Sequence, residues 1–249
     1  MDKISVCMAT RNGEKYLIKQ LESILIQIDQ DDEVIISDDS STDRTVEVIK
    51  YLKDSRIRLL ENNTYLNPIF NFENALRQAT GEIIALSDQD DIWLNNKTAV
   101  IRREFKDHHA GIKLIVLDGL IVDENENILY DSIFDKMRSG RGLMKNIYAN
   151  TYMGCCMAFS RDLLKIALPF PATIPMHDMW LGQLAELFGS ASFVREKTIK
   201  YRRHQTTSTN FDRRLEIGPQ LLRRYHLTTS IMKRFLSIKL GKEHNSQRL

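Results

Sequence analysis

Two acidic clusters carry most of the chemistry this chain can offer. Asp88-Gln89-Asp90-Asp91 closes one apolar run, and Asp38-Asp39 closes another. Asp88 and Asp90 lie two residues apart at a predicted strand end, so both carboxylates can point the same way. Carboxylates that close repel one another unless a cation or a proton relieves them. Oxygen ligands suit Mg²⁺ or Mn²⁺, and a protein offering one or two carboxylates often shares the ion with a substrate diphosphate. A solvated acidic turn capping the next helix has the same spacing, and the pattern alone leaves both open. The second cluster strengthens the metal reading, because two groups of acids then converge on one edge. A third acid, Asp178, precedes a helical stretch, where position by itself favours a capping role. His204 sits in a basic run, Arg202-Arg203-His204, where the arginines would either hold phosphate oxygens or be solvated.

The elements that must position these residues alternate in the first half of the chain. Short apolar runs at Ile4 to Met8, Glu33 to Ser37, Ile57 to Glu61 and Glu82 to Ser87 predict strands. Helical spacing recurs over Glu14 to Gln27, Asp43 to Lys53 and Asn71 to Thr80, the last stopped by Gly81. The order β-α-β-α-β-α-β implies a mostly parallel α/β sheet with helices on both faces. Ligands of such sheets gather beyond the carboxyl ends of the strands, where both Asp clusters fall. The second half is less regular. Helices are expected over Trp93 to His108, Arg161 to Ala167 and Met179 to Phe188, and strands over Leu114 to Val122, Ile128 to Tyr130, Met157 to Ser160 and Ser192 to Tyr201. Loops are expected from Asp131 to Asn150.

Composition narrows the class. With 249 residues, 43% of them apolar, the chain can bury a core without disulfide staples. Cys7, Cys155 and Cys156 are odd in number and lack CxxC metal spacing, which fits a reducing cytosol. The most apolar stretch, Ile112 to Val122, is short and interrupted by Lys113 and Asp118, so no membrane span is expected. The N-terminus enters a strand-like run at once, and no signal peptide is expected. Charge is uneven: Phe211 to Leu249 holds nine Lys/Arg against three Asp/Glu, leaving a net acidic body. A nucleic-acid binder would carry its basic residues on the body, which argues against such a partner. Leu221, Leu222, Tyr225, Ile231, Met232, Phe235 and Leu236 recur at helical spacing among Arg223, Arg224, Lys233, Arg234 and Lys239. This basic amphipathic helix would lie on an anionic membrane surface, or pack on the body or on a second subunit of a homodimer.

Five stretches, in order from residue 5 to about 210, resemble family 2 glycosyltransferases of the GT-A nucleotide-sugar fold. They are Ser5 to Gly13, Ile36 to Asp43, Gly81 to Trp93, Met176 to Trp180 and Tyr201 to His204. The Asp-Gln-Asp-Asp-Ile-Trp and His-Asp versions are most similar to bacterial surface-polysaccharide enzymes of the rhamnosyltransferase-like type. The resemblance implies a GT-A domain over 1–210, with a nucleotide-sugar-binding half (1–110), an acceptor-binding half (111–210) and a basic helical tail (211–249). It implies that Asp39 accepts the N3–H of uracil or thymine, that Asp88 touches ribose or metal, and that Ala9 and Arg11 form the nucleotide loop. Arg11 departs from the family, which commonly places an aromatic residue there. Asp90 and His204 would serve Mn²⁺ or Mg²⁺, Asp178 would be the general base, and Gly154, His177 and Trp180 would face the acceptor. For Trp180 a core position is an equal alternative. The implied activity is inverting transfer from a UDP- or dTDP-sugar to a saccharide or lipid-linked glycan. It would take place in the cytoplasm, peripheral on the inner face of the cell membrane. Two other readings stand against it. A nucleotidyltransferase would need a glycine-rich phosphate loop, yet Thr10 to Gly13 has one glycine; a non-catalytic glycan-binding subunit would lack the acidic motifs.

Overall fold

A computed structural model describes residues 2–61, 63–204 and 217–241. The expected domain boundary near 210 and the ends of the basic tail, 211–216 and 242–249, lie outside the described residues. The chain opens with β1 (Ile4–Thr10), α1 (Leu17–Leu25), β2 (Glu33–Asp38), α2 (Thr45–Tyr51), β3 (Ile57–Leu60), α3 (Pro68–Arg77) and β4 (Ile83–Ser87). Next come β5 (Ile92–Trp93), α4 (Lys97–Phe105), β6 (Lys113–Val122), β7 (Ile128–Tyr130), α5 (Ile133–Met137) and α6 (Leu143–Tyr148). After a 3-10 turn at Gly154–Cys156 follow β8 (Met157–Ser160), α7 (Asp162–Ala167), α8 (His177–Phe188), β9 (Ser190–Arg202) and α9 (Ile217–Lys239).

The strands form one sheet in the order β3-β2-β1-β4-β8-β6-β9-β5, with β7 on β6. The first four pair in parallel, as the alternating pattern requires. Beyond β4 the sheet is mixed rather than mostly parallel: β8 runs antiparallel to β4 and β6, and β9 runs parallel to β6. β1, β2 and β4 are fully apolar at their inner positions, from Val6 and Met8 through Ile35 to Leu86. This continuous burial is what a strand covered on both faces demands. The helices supply that cover along apolar stripes, as α1 does with Leu17, Leu21 and Ile24.

Three departures from the sequence expectation have local causes. The helix expected from Trp93 starts only at Lys97, because Ile92 and Trp93 pair with Lys200 and Ile199 of β9. The stretch 131–150 holds two short helices instead of loops alone. Ser132 caps α5 by accepting the Asp135 N–H, and its own hydroxyl donates to the buried Asp118. α8 begins at His177, two residues earlier than expected, so Asp178 lies in its first turn.

Gly189 closes α8 where the chain turns into β9 beside β6. A Cβ at this position would overlap the carbonyl oxygen of Ile112, which also accepts the Ser190 N–H. Backbone cannot retreat as a flexible side chain can. Gly189→Ala is therefore expected to cost about 1–3 kcal/mol, seen as a lower urea midpoint with an unchanged slope.

Candidate active site

Parallel pairing brings the acidic clusters together. Thr10 of β1 sits opposite Asp38 of β2, and Met8 sits opposite Ser87 of β4. Arg11, Asp39 and Asp88 therefore leave the sheet at one edge. They open onto a cavity of about 310 Å³ lined also by Ala9, Asn71, Phe72, Asp90, Gly154, His177 and Asp178. Four acids from three separated points of the chain, Asp39, the pair Asp88 and Asp90, and Asp178, thus line one cleft.

The two members of the first cluster do different things. Asp38 turns inward, accepting from the Thr10 hydroxyl at 2.9 Å and from the Ser41 hydroxyl at 2.6 Å. It builds the loop. Asp39 accepts the Asn67 N–H through one oxygen, while its Oδ1 is buried with no protein partner. Asn71 donates its amide to the Thr10 carbonyl at 3.2 Å, which leaves its Oδ1 buried and unpartnered too. Two stranded acceptors beside one cavity call for a ligand that donates, since a buried acceptor left unpaired costs free energy. Gln89 fixes the opposite rim by exchanging hydrogen bonds with the Arg11 backbone. Gly13 lets this amide pack close to the loop, since a Cβ there would push the Gln89 side chain aside.

The second cluster rests on buried cations. Burial, together with the charges of Asp90 and Asp178, pushes the Asp88 carboxyl up to about 7. Asp91 is fully buried, accepts the Arg202 N–H at 3.0 Å, and is pushed well above the usual carboxylate range by burial and by its acidic neighbours. Arg202 is buried as well, donating to the carbonyls of Asp90 and Glu124 at 2.9 Å each. It shapes the motif from behind, with its guanidinium turned to those carbonyls and to Glu126, and it is buried rather than solvated. Lys97, also fully buried, lies 4.4 Å above the Trp93 ring and donates to the Cys155 carbonyl at 2.6 Å. Its charge offsets part of the acidic excess.

Ligand-type atoms are available for a metal. Donor atoms of Asp88, Asp91 and Cys155 lie within 4.8 Å of one another, and the second Asp91 oxygen has no partner. A hydrogen bond with Cys156, together with burial, holds the Cys155 thiol well above its usual pKa, so it stays protonated. Of this second cluster, Asp88 and Asp90 line the cavity. Asp90 meets His204 Nε2 at 2.8 Å, and the His204 ring packs on Tyr16 with centroids 5.0 Å apart. Carboxylate oxygens with one imidazole fit a hard divalent ion.

On the other wall, Asp178 accepts the Met179 N–H at 2.6 Å, and burial pushes its carboxyl up to about 7. His177 stacks on Phe72 at 4.2 Å, and burial lowers its pKa to about 3, which keeps the ring neutral. Both its ring nitrogens lack protein partners. Gly154 leaves the room this needs: a Cβ there would stand 3.0 Å from His177 Nε2. Of the expected site residues, His204 lies beyond the cavity, in a neighbouring hollow that shares Gln89 and Asp90 with it, and Trp180 is removed to the core. It is fully buried, its indole N–H bonds the Ala167 carbonyl at 3.0 Å, and Arg234 covers its ring. At the fourth position of α8 it faces the core, so no acceptor can reach it.

Sequence reasoning missed Asn71, Phe72, Gln89 and Lys97. Asn71 and Phe72 sit in the first turns of α3, where an inward polar residue looks like any helix-surface amide. Lys97 carried no signal at all, since a lysine in a charged helix is normally solvated.

A β1-β2-β4 edge that presents acids to a cleft closed by the N-terminus of α8 defines the GT-A class of transferase fold. The chain belongs to glycosyl transferase family 2, whose sequence profile matches residues 5–166. It is 32% identical over 149 residues to a Campylobacter jejuni GalNAc(5)-diNAcBac-PP-undecaprenol beta-1,3-glucosyltransferase, covering 59% of this chain and 45% of that protein. It is 40% identical over 98 residues to the Escherichia coli UDP-Glc:alpha-D-GlcNAc-diphosphoundecaprenol beta-1,3-glucosyltransferase WfaP, covering 39% of each. The chain thus spans less than half the length of these two relatives. Among solved structures, Staphylococcus aureus TarS residues 1–349 superimpose with a TM-score of 0.62 at 25% identity, over 80% of this chain and 60% of that one. The mannosyltransferase PcManGT of Pyrobaculum calidifontis, in complex with GDP-Man and Mn²⁺, gives 0.60 at 16% identity over 99% and 76%.

Proposed function

We propose that the protein transfers a sugar, with inversion, from a UDP- or dTDP-sugar to a hydroxyl of a saccharide or lipid-linked glycan in surface-polysaccharide synthesis. The observation that carries this reading is the convergence of Asp39, Asp88, Asp90 and Asp178 on one cavity. The names of the two relatives, both glucosyltransferases of undecaprenol-linked glycans, support the acceptor class. UDP-Glc in one of those names supports a uridine donor.

Each residue has a task in this reaction. Asp39 Oδ1 takes the imide N–H of the base, and Asn71 Oδ1 takes a second donor group of the nucleoside. Asp178 removes the proton of the attacking hydroxyl as the new bond forms to the anomeric carbon. The nucleoside diphosphate departs from the opposite face, and one displacement inverts the centre. The neutral His177 offers a ring nitrogen to a sugar hydroxyl beside Asp178. Asp88, Asp90 and His204 would hold Mn²⁺ or Mg²⁺, which when bound neutralises charge growing on the diphosphate.

A panel of UDP- and dTDP-sugars tests this, with a diphosphate-linked lipid saccharide as acceptor. Release of UDP or dTDP is expected, at a rate that collapses in EDTA and returns with Mn²⁺. Release of inorganic pyrophosphate would indicate nucleotidyl transfer, and binding of glycan without any turnover would indicate a non-catalytic subunit. Localisation on the inner face of the cell membrane follows from the lipid-linked acceptor. Among the described residues no helix is long and apolar enough to cross a membrane.

A further inference from the structure

α9 has two apolar faces, and among the described residues one is packed on the body while the other is exposed. Its inner face seats Leu227 and Ile231 in the core, and Phe235 meets Phe188 at 5.7 Å. The outer face carries Leu221, Tyr225, Met232 and Leu236, each more than half exposed. Their spacing of four, seven and four residues keeps them on one stripe of the helix. Leu222 and Leu240, also more than half exposed, widen that stripe. An exposed apolar band of this extent is uncommon on a lone soluble surface.

Charge selects what covers it. Ile217–Lys239 contains Arg223, Arg224, Lys233, Arg234 and Lys239, and no acidic residue. Arg224 and Arg234 are spent on the body. Arg224 stacks on Tyr148 of α6 at 4.2 Å, and Arg234 donates to the carbonyls of Ile166, Leu168 and Pro169 at 2.7 to 3.1 Å. Arg223, Lys233 and Lys239 are exposed. A second copy docking face to face would bring two such cationic helices together. A surface of anionic headgroups above an apolar layer complements both properties at once. We infer that the outer face of α9 docks on an anionic phospholipid bilayer, lying in the headgroup plane.

The docking helix also holds the cleft. Arg234 grips the segment that leads from α7 to α8, and Ser230 meets Thr173 of that segment at 3.2 Å. The same segment delivers His177 and Asp178. A chain seated through α9 is therefore fixed to the lipid surface by the element that braces one wall of its cavity. The inference stands apart from the proposed reaction, because docking requires no turnover.

Vesicle flotation of the full chain decides it, with phosphatidylcholine vesicles alone and with added phosphatidylglycerol. The chain is expected to float with the anionic vesicles, to stay behind with the neutral ones, and to be released by high salt. Two variants on the solvent face leave the body packing untouched. Lys233→Glu with Lys239→Glu should lower partition by at least about twentyfold, since each basic residue near the surface contributes roughly fivefold. Leu221→Ser, Tyr225→Ser, Met232→Ser and Leu236→Ser together should abolish flotation, with the circular dichroism spectrum and nucleoside diphosphate release to a water-soluble acceptor retained. Absence of the unmodified chain from the anionic vesicles, or equal flotation of all three proteins, would overturn the inference. So would a concentration-dependent dimer that the serine variant dissolves while the unmodified chain ignores lipid.

Discussion

Asp178→Asn is expected to lower kcat by about 10²–10⁴-fold, the usual contribution of a positioned general base, while leaving donor affinity near normal. Asn keeps the shape and still accepts the Met179 N–H, but it cannot take a proton. The pH dependence adds a second signature. Burial holds the Asp178 carboxyl at about 7 in the ligand-free chain. The base works only when ionised, so kcat/KM should rise with pH through an acid limb with its midpoint no higher than about 7. A bound cation favours the carboxylate and moves that midpoint down. The limb should vanish in the variant. Stability moves the other way. The folded chain keeps Asp178 protonated up to about 7, whereas the unfolded chain ionises it near the ordinary carboxylate value of 3.8. Between these values the folded state binds more protons, so Asp178 withdraws stability as pH rises and the full cost is present above about 7. Asn removes that cost. The variant should melt higher than the unmodified chain at pH 8 and level with it at pH 4, with turnover lost throughout. A variant equal in rate to the parent would take Asp178 out of the mechanism.

What the sequence made legible was the placement of acids, and the reason is topological. A carboxylate directly after a buried parallel strand has to emerge at the carboxyl edge, so Asp39 and Asp88 were bound to meet once β1, β2 and β4 paired. The division of labour within each cluster was not legible, because it depends on neighbours distant in the chain. Asp38 is consumed by Thr10 and Ser41, and Asp91 by the Arg202 backbone. Buried charge was the most deceptive feature. Lys97 gave no sign of burial and Arg202 was open between a phosphate contact and solvent, yet both lie under the acidic motif, where they lower the cost of gathering carboxylates. Trp180 shows the same limit from the apolar side. One helical step separates Met179, half-buried near the cleft, from an indole sealed in the core. The helices α5 and α6 escaped notice because each is shorter than two turns, and α5 exists through the Ser132–Asp118 contact rather than through any periodic pattern.

Asp90→Ala is expected to remove Mn²⁺-stimulated turnover, with a loss of roughly 10²–10³-fold, if a cation supplies several kcal/mol to the departing diphosphate. Asp90 has little structural work besides its contact with His204. Its carboxylate meets His204 across the rim of the cavity, whereas Asp91 beside it is committed to the Arg202 N–H. Truncating Asp90 deletes one oxygen ligand and leaves His204 without that contact, so the donor set is reduced twice over. It also takes a negative charge away from Asp88, whose carboxyl is held at about 7 partly by that neighbour, and so lowers the Asp88 pKa. The ion-free variant therefore gains relief from repulsion against the loss of one hydrogen bond, and it should remain folded. Thermal melting then separates a ligand from a merely structural acid. Saturating Mn²⁺ should raise the melting temperature of the unmodified chain, by the equivalent of about 2.7 kcal/mol at a hundredfold excess over Kd. The Asp90→Ala variant should show little or no shift at the same concentration. Asp91→Asn makes the opposite prediction: its carboxylate is buried against the backbone, so stability should change while a Mn²⁺-dependent melting shift persists. If Asp90→Ala kept both the shift and the stimulated rate, Asp90 would not be a ligand, and the metal role would pass to Asp88 with the Asp91–Cys155 group behind it.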